Sequence, residues 1–333
     1  SLSGHWLYLN YQHQEIEDGA VATTFKNKGS DLRLQAEHAK VALGGGSLSG
    51  VFGLQGEDAD FSALGEEAFV RTTTRQWALF ALEEWSLGAL QLNLGARVGQ
   101  SKVDSAGDAP GQDQFGAAQS RTFTPFSAAL GGVYKLGGPW QLSGNLAYTE
   151  RAPSFYELYA NGLHVATGAF EVGNPNMAME KGTNLDVAVQ WKEGANRLRG
   201  GAFGSDFSNY IALLGTGQLV PTDEGDVPEY AFTGVPATLW GLEFDGNWRL
   251  LDSAQQWDLD GKLDMMRTRD DLSNQPLPRI PPLRLTGGLN WGMGGWGARA
   301  EVVYAAAQND VPTDDPATPS YTIVNLSASY KFN

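Results

Sequence analysis

Few residues in this chain have side chains suited to chemistry. Four histidines, His5, His13, His38 and His164, stand among 333 residues that include no cysteine. Disulfides, thiolate zinc sites and cysteine nucleophiles are thereby excluded together. Metal ligation by imidazole and carboxylate remains, and it requires ligand atoms converging at about 2.0–2.2 Å. His13, Glu15 and Glu17 alternate, so on a strand they share one face and can act together; a solvated loop tip accounts for them equally well. Nucleophilic catalysis needs a base within hydrogen-bond reach of the nucleophile. There is no Gly-x-Ser-x-Gly elbow and no His-Glu-x-x-His, and only His164, with Ser154 upstream, has a setting of interest. The chain is not expected to be an enzyme.

Charge and composition narrow the classes further. A formal net charge of −15 argues against a nucleic-acid partner, which calls for a basic patch, and suits loops or a lumen that attract cations. The acidic stretches Asp310, Asp314 and Asp315, and Asp223, Glu224 and Asp226, would collect cations loosely or simply keep loops solvated. No run approaches the roughly 20 apolar residues of a membrane-spanning helix, a test that does not apply to spanning strands. No basic-then-apolar signal segment stands at the start.

The elements that must position any site are strands. Leu90, Leu92, Leu94, Ala96 and Val98 alternate with polar residues or Gly, and so do Leu185 to Trp191, Leu242 to Trp248 and Val324 to Phe332. About 14 such runs are read, centred near residues 9, 33, 52, 80, 94, 128, 145, 187, 203, 244, 262, 287, 301 and 327. A soluble sandwich also alternates. The connections separate the two, because tight turns such as Leu43 to Gly46, Leu136 to Pro139 and Gly292 to Gly295 alternate with long polar segments. Those long segments are Ser101 to Arg121, Arg151 to Met179, Leu214 to Pro228, Arg267 to Pro282 and Gln308 to Ser320. Outer-membrane barrels have this asymmetry, and they carry aromatic girdles where Trp140, Trp191, Trp248, Trp257, Trp291 and Trp296 fall, near strand ends. Asp186, Glu243, Asp245, Arg249, Asp258, Asp260, Lys262 and Asp264 would then line a wet lumen, whereas unpaired burial in a sandwich core would cost several kcal/mol each. The expected fold is an all-β, antiparallel transmembrane β-barrel with short turns at one end and long loops at the other, in contact with a lipid bilayer.

One block carries more than pattern. Glu150-Arg151-Ala152-Pro153-Ser154 leads into Glu157-Leu158-Tyr159, where a short helix capped by Ser154 or Pro153 is expected. Gly173-Asn174-Pro175 and Glu180-Lys181 follow in order, and Arg151 and Glu150 are read as a lumenal pair or as residues that orient the loop. This block resembles the barrel signature of TonB-dependent receptors. The stretch from His164 to Pro175 is most similar to the zinc-importing branch, and Asp60 to Phe69, Ala78 to Trp85 and Leu277 to Arg284 extend the resemblance over most of the chain.

The resemblance implies a 22-stranded barrel, an N-terminal plug, and import of a scarce nutrient driven by a TonB-type energy-coupling protein. It implies zinc or another divalent metal as transported ligand, with no resident cofactor, and a siderophore or haem as the alternative cargo. His164 takes a ligand role by this resemblance, with Glu171 a weaker candidate beside His13 and Glu17. The sequence departs from the pattern at both ends. No plug or coupling box precedes Ser1, and two further strands with a terminal aromatic residue are expected after Asn333. Residues 1–333 thus read as a partial barrel domain that is not expected to transport alone. A passive porin and an outer-membrane hydrolase are the rivals from other classes.

Overall fold

The computed structural model describes all residues except 18, 66–68, 165–166, 223–224, 314 and 333, together with the side chains of 17, 64 and 65. Eighteen strands form one sheet. In chain order they are β1 (Leu2–Glu17), β2 (Ala20–Glu37), β3 (Val41–Leu43), β4 (Gly46–Gly65), β5 (Thr72–Leu87) and β6 (Leu90–Ser105). Then come β7 (Gln119–Phe123), β8 (Phe126–Gly137), β9 (Trp140–Arg151), a short helix α1 (Phe155–Tyr159), β10 (Asn161–His164) and β11 (Ala169–Val172). The chain finishes with β12 (Glu180–Glu193), β13 (Asn196–Thr222), β14 (Gly225–Asp252), β15 (Gln255–Asp270), β16 (Arg284–Met293), β17 (Trp296–Ala305) and β18 (Tyr321–Tyr330). Setting aside the short β3, β7, β10 and β11 leaves fourteen of the eighteen in an antiparallel meander, one at each of the expected centres. Among the described residues no pairing joins β1 to β18, so the sheet has two free edges.

Alternation explains the two faces. On β6, Leu94 and Val98 are exposed on one face, while Arg97 on the other donates to Gln55 of β4. The polar face is knitted by pairs such as Arg197 with Asp245, Arg199 with Glu243, Arg249 with Asp258 and Arg299 with Asp260. Among the described residues nothing covers the apolar face at Leu79, Leu130, Leu146, Leu185 and Leu242, which are exposed.

Aromatic residues bound that apolar face at both ends with one spacing. Trp77 and Trp85, Trp140 and Tyr148, Trp240 and Trp248, and Trp296 and Tyr304 each stand eight residues apart on a single strand. Eight residues of strand cover about 27 Å, or about 21 Å along the membrane normal at a tilt of roughly 40°, so the rings sit near the borders of an apolar band of about 25 Å. Trp191 stacks on Trp248 at 5.5 Å, and Trp296 meets Tyr330 at 4.6 Å, making the girdle at the short-turn end continuous over several strands.

One expected loop is not a loop. Leu214 to Pro228 continues β13 and β14 as a hairpin, paired as far as Thr222 with Gly225. The register slips between Gly215 and Leu219, which absorbs Gly217, while Pro221 and Pro228 sit at paired positions beyond the slip.

Candidate functional site

The buried core lies at the long-loop end. Val70, Val103, Phe123, Leu158, Tyr159, Met177, Ile211 and Phe232 form one cluster, drawn from four strands, from the connection between β4 and β5 and from the folded segment between β9 and β12. Alternation ends at Arg151, and the segment 152–179 turns back over the polar face.

Ser154 is the N-cap of α1, and its backbone N–H donates to Glu157 at 2.7 Å. Arg151 then fastens the helix to the wall. Its guanidinium donates to both oxygens of Glu157, at 2.8 and 3.0 Å, and to Glu180 at the start of β12, at 3.2 and 3.0 Å. Glu180 also accepts the Ile211 backbone N–H at 3.1 Å, so one cation holds three elements. Of the two roles considered for Arg151, orienting the loop is the one observed. A pair with Glu150 is not formed, because neighbours on a strand face opposite ways; Glu150 binds Lys181 at 3.0 Å and Tyr148 at 2.8 Å on the apolar side.

After α1 the chain forms the β10–β11 hairpin, whose second strand pairs in parallel with β14 through Phe170, Glu171 and Val172. Gly173 lets the hairpin return against the helix. A Cβ there would sit 2.7 Å from the backbone of Leu158, Tyr159 and Ala160. Asn174 shapes the following turn, its side-chain oxygen accepting from the Asn176 N–H at 2.9 Å.

His164 and Glu171 meet across this hairpin. Nδ1 of His164 lies 3.0 Å from Glu171 Oε1, and the Thr167 hydroxyl donates to that same oxygen at 3.1 Å. Glu171 is buried, whereas His164 is half-buried with Phe69 edge-on at 5.6 Å. A carboxylate on Nδ1 fixes the ring, and among the described residues Nε2 has no hydrogen-bond partner. An imidazole held in this way keeps its second nitrogen available to a metal ion.

The other candidates are dispersed. His13 is on the polar face of β1, its ring stacked on Phe25 at 4.6 Å, and Glu15 follows on the same face. The side chain of Glu17 lies outside the described residues, as do Asp223, Glu224 and Asp314. His5 pairs with Asp31 at 3.2 Å and His38 with Glu83 at 3.0 Å. Asp310 is bound by Arg269 at 3.0 Å, and Asp315 accepts from the Tyr230 hydroxyl at 3.1 Å. Among the described residues, no three His, Asp or Glu side chains converge as a metal cage. A path of rings nonetheless links His13 to His164, through Phe25, Phe61 and Phe69, and Phe61 also meets Phe155 of α1 at 4.5 Å. Neither Thr167 nor Phe69 is marked by sequence reasoning. A His and a Glu seven apart around a Thr-Gly turn is the signal that would have found the first.

Comparison with known proteins agrees with the geometry. The chain is similar in fold to the copper transporter OprC, with 16% identity and a TM-score of 0.76 over 100% of this chain and 54% of that one. It is also similar to the hemophore receptor HasR of Serratia marcescens, solved with its hemophore HasA and heme, with 17% identity and a TM-score of 0.67 over 94% and 55%. The alcaligin outer-membrane receptor FauA of Bordetella pertussis matches with 15% identity and a TM-score of 0.67 over 100% and 54%. The chain thus spans about half the length of the structures it matches. The model of the family described as TonB dependent receptor-like, beta-barrel matches residues 3–333. This chain therefore belongs to the TonB-dependent receptor β-barrel family, whose members are outer-membrane proteins; in such a barrel the polar face turns to the lumen.

Proposed function

We propose that this chain forms the barrel wall of a receptor importing a scarce nutrient across the outer membrane, with a divalent metal ion, zinc first, as cargo. The observation that carries this reading is the His164–Glu171 pair, held at 3.0 Å on a hairpin folded into the mouth. His164 offers Nε2 to the ion, and Glu171 sets the ring and raises its basicity. His13, with Glu15 on the same face of β1, takes the lesser part of a first contact. Transport is driven by a TonB-type coupling protein acting through a plug. The ordered motif block, and the fact that the similar structures named above are a transporter and receptors, favour uptake over a passive pore or an outer-membrane hydrolase.

A second reading, a metal chelate such as a siderophore or haem, is favoured by the ring surface that Phe25, Phe61, Phe155 and Tyr156 make beside the insert. Competitive calorimetry on the full chain separates the two. Tight binding of zinc over calcium, weakened at least tenfold in His164→Ala, supports the first; binding of an iron siderophore or haem with no zinc binding replaces it with the second.

A further inference from the structure

Near the short-turn end, the outward face holds one charge where the rest of that face is apolar. The girdle rows are set by Trp77 and Trp85, Trp140 and Tyr148, Trp240 and Trp248, and Trp296 and Tyr304. Between those rows, Glu83 is the single ionisable side chain among the described outward positions. It shares the outward face with Trp85, two residues and about 7 Å along β5 from it. Ionisable groups are rare at such positions because they are costly in lipid, and one that is kept there marks a candidate site.

The carboxylate of Glu83 has a built seat. It lies over Gly50 of β4, where an added Cβ would stand 2.5 Å from it. Its Oε2 is 3.0 Å from Nε2 of His38, in the connection that follows β2, and Nδ1 of the same ring is 2.8 Å from the Ala39 carbonyl. Oε1 has no hydrogen-bond partner among the described residues, and the Glu83 side chain is 32% exposed. A carboxylate accepts about four hydrogen bonds, and lipid tails donate none. Two residues after His38 stands Lys40, exposed and without an ion-pair partner among the described residues. An acid with a spare acceptor, followed toward the short-turn end by a free cation, is complementary in sign to a zwitterion.

We infer that this corner of β2, β4 and β5 binds a phospholipid whose headgroup carries a primary ammonium. Short turns face the periplasm in such barrels, so the lipid belongs to the periplasm-facing leaflet. The ammonium donates to Glu83 Oε1 in a charge-assisted bond, and the phosphate of the same headgroup meets Lys40. A fully methylated ammonium has no N–H and cannot make the first bond, and a glycerol headgroup has no cation to offer. The acyl chains lie on the exposed Leu94 and Leu130, which continue the row of Glu83 onto β6 and β8.

Native mass spectrometry of the full chain in detergent tests this, with phosphatidylethanolamine, phosphatidylcholine and phosphatidylglycerol of matched acyl chains as probes. Phosphatidylethanolamine is expected to bind about tenfold tighter than either other lipid. Glu83→Gln is expected to abolish that preference. Lys40→Ala is expected to weaken all three lipids about fivefold and leave their order unchanged, while Lys262→Ala on the lumenal face changes nothing. If Glu83→Gln does not fold, the unaltered chain is tested with phosphatidylethanolamine methylated stepwise at nitrogen, and binding is expected to fall when the last N–H is removed. Binding of phosphatidylethanolamine no tighter than the other two lipids, an undiminished preference in Glu83→Gln, or no fall at the last methylation overturns the inference.

Discussion

The two ends of this barrel are held by different physics. At the short-turn end there is almost no buried core; tight turns, Trp girdle contacts and single hydrogen bonds close the hairpins. At the long-loop end a folded insert brings a packed cluster and a carboxylate–guanidinium clamp over the lumen. The difference teaches where a site can be built. A wall one strand thick, wet on one face and in lipid on the other, cannot fix a side chain as firmly as a packed insert can.

Core truncation at the insert should separate the ends most sharply. Leu158 is fully buried, and Leu158→Ala is expected to cost about 3 kcal/mol. Hydrogen exchange should show the loss within 155–179 while the amides of β16 and β17 stay protected. An equal loss across the sheet would mean that the insert and the wall unfold together.

Next in size is the clamp. Arg151→Met strands the buried Glu157 beside Glu180, and with the guanidinium 43% exposed the expected cost is about 2 kcal/mol. The insert should undock, raising exchange at Glu157 to Tyr159 and at Ile211, whose N–H bonds Glu180. At the other end the matching test is smaller. Trp85 donates from its indole N–H to the Leu43 carbonyl at 3.1 Å, and Trp85→Phe should cost about 1 kcal/mol, with faster exchange confined to the β3–β4 turn.

The smallest effects run in opposite pH directions. At the loop end, Asp108 accepts backbone N–H groups from Phe115, Gln114 and Gly116, which hold its carboxyl below the ordinary value. Its contribution is complete above the unfolded value of about 3.9 and fades as pH falls through the lower folded one. At the turn end, both ring nitrogens of His38 face acceptors, Glu83 at 3.0 Å and the Ala39 carbonyl at 2.8 Å, so both bonds need the protonated ring. The Glu83 bond first, then Ala39, raises its pKa. That contribution is complete below about 6.5 and fades as pH rises through the raised value. Exchange at Gln114 to Gly116 should therefore speed in acid, and at Val41 to Leu43 in mild alkali; Asp108→Asn and His38→Gln should each flatten one profile only.

Much of the wall was legible in the sequence because period-two alternation is a local property, and each of the fourteen centres falls on a meander strand. Glycine and proline misled at Leu214 to Pro228, where Gly217 falls in a register slip and Pro221 and Pro228 sit on the paired arms of an extended hairpin. The clamp was legible only as a motif. Arg151 and Glu180 are 29 residues apart, and no periodicity joins the end of one strand to the start of another. His164 was marked by resemblance, while its partnership with Glu171 depends on the hairpin that places them diagonally across two strands.

The central claim is that a metal cargo meets His164 on the folded insert. X-ray absorption at the zinc edge of the zinc-loaded full chain tests it most directly. A nitrogen scatterer at about 2.0–2.1 Å, lost in His164→Ala and displaced or disordered in Glu171→Gln, is the predicted result. A spectrum that is the same with and without His164 would contradict it.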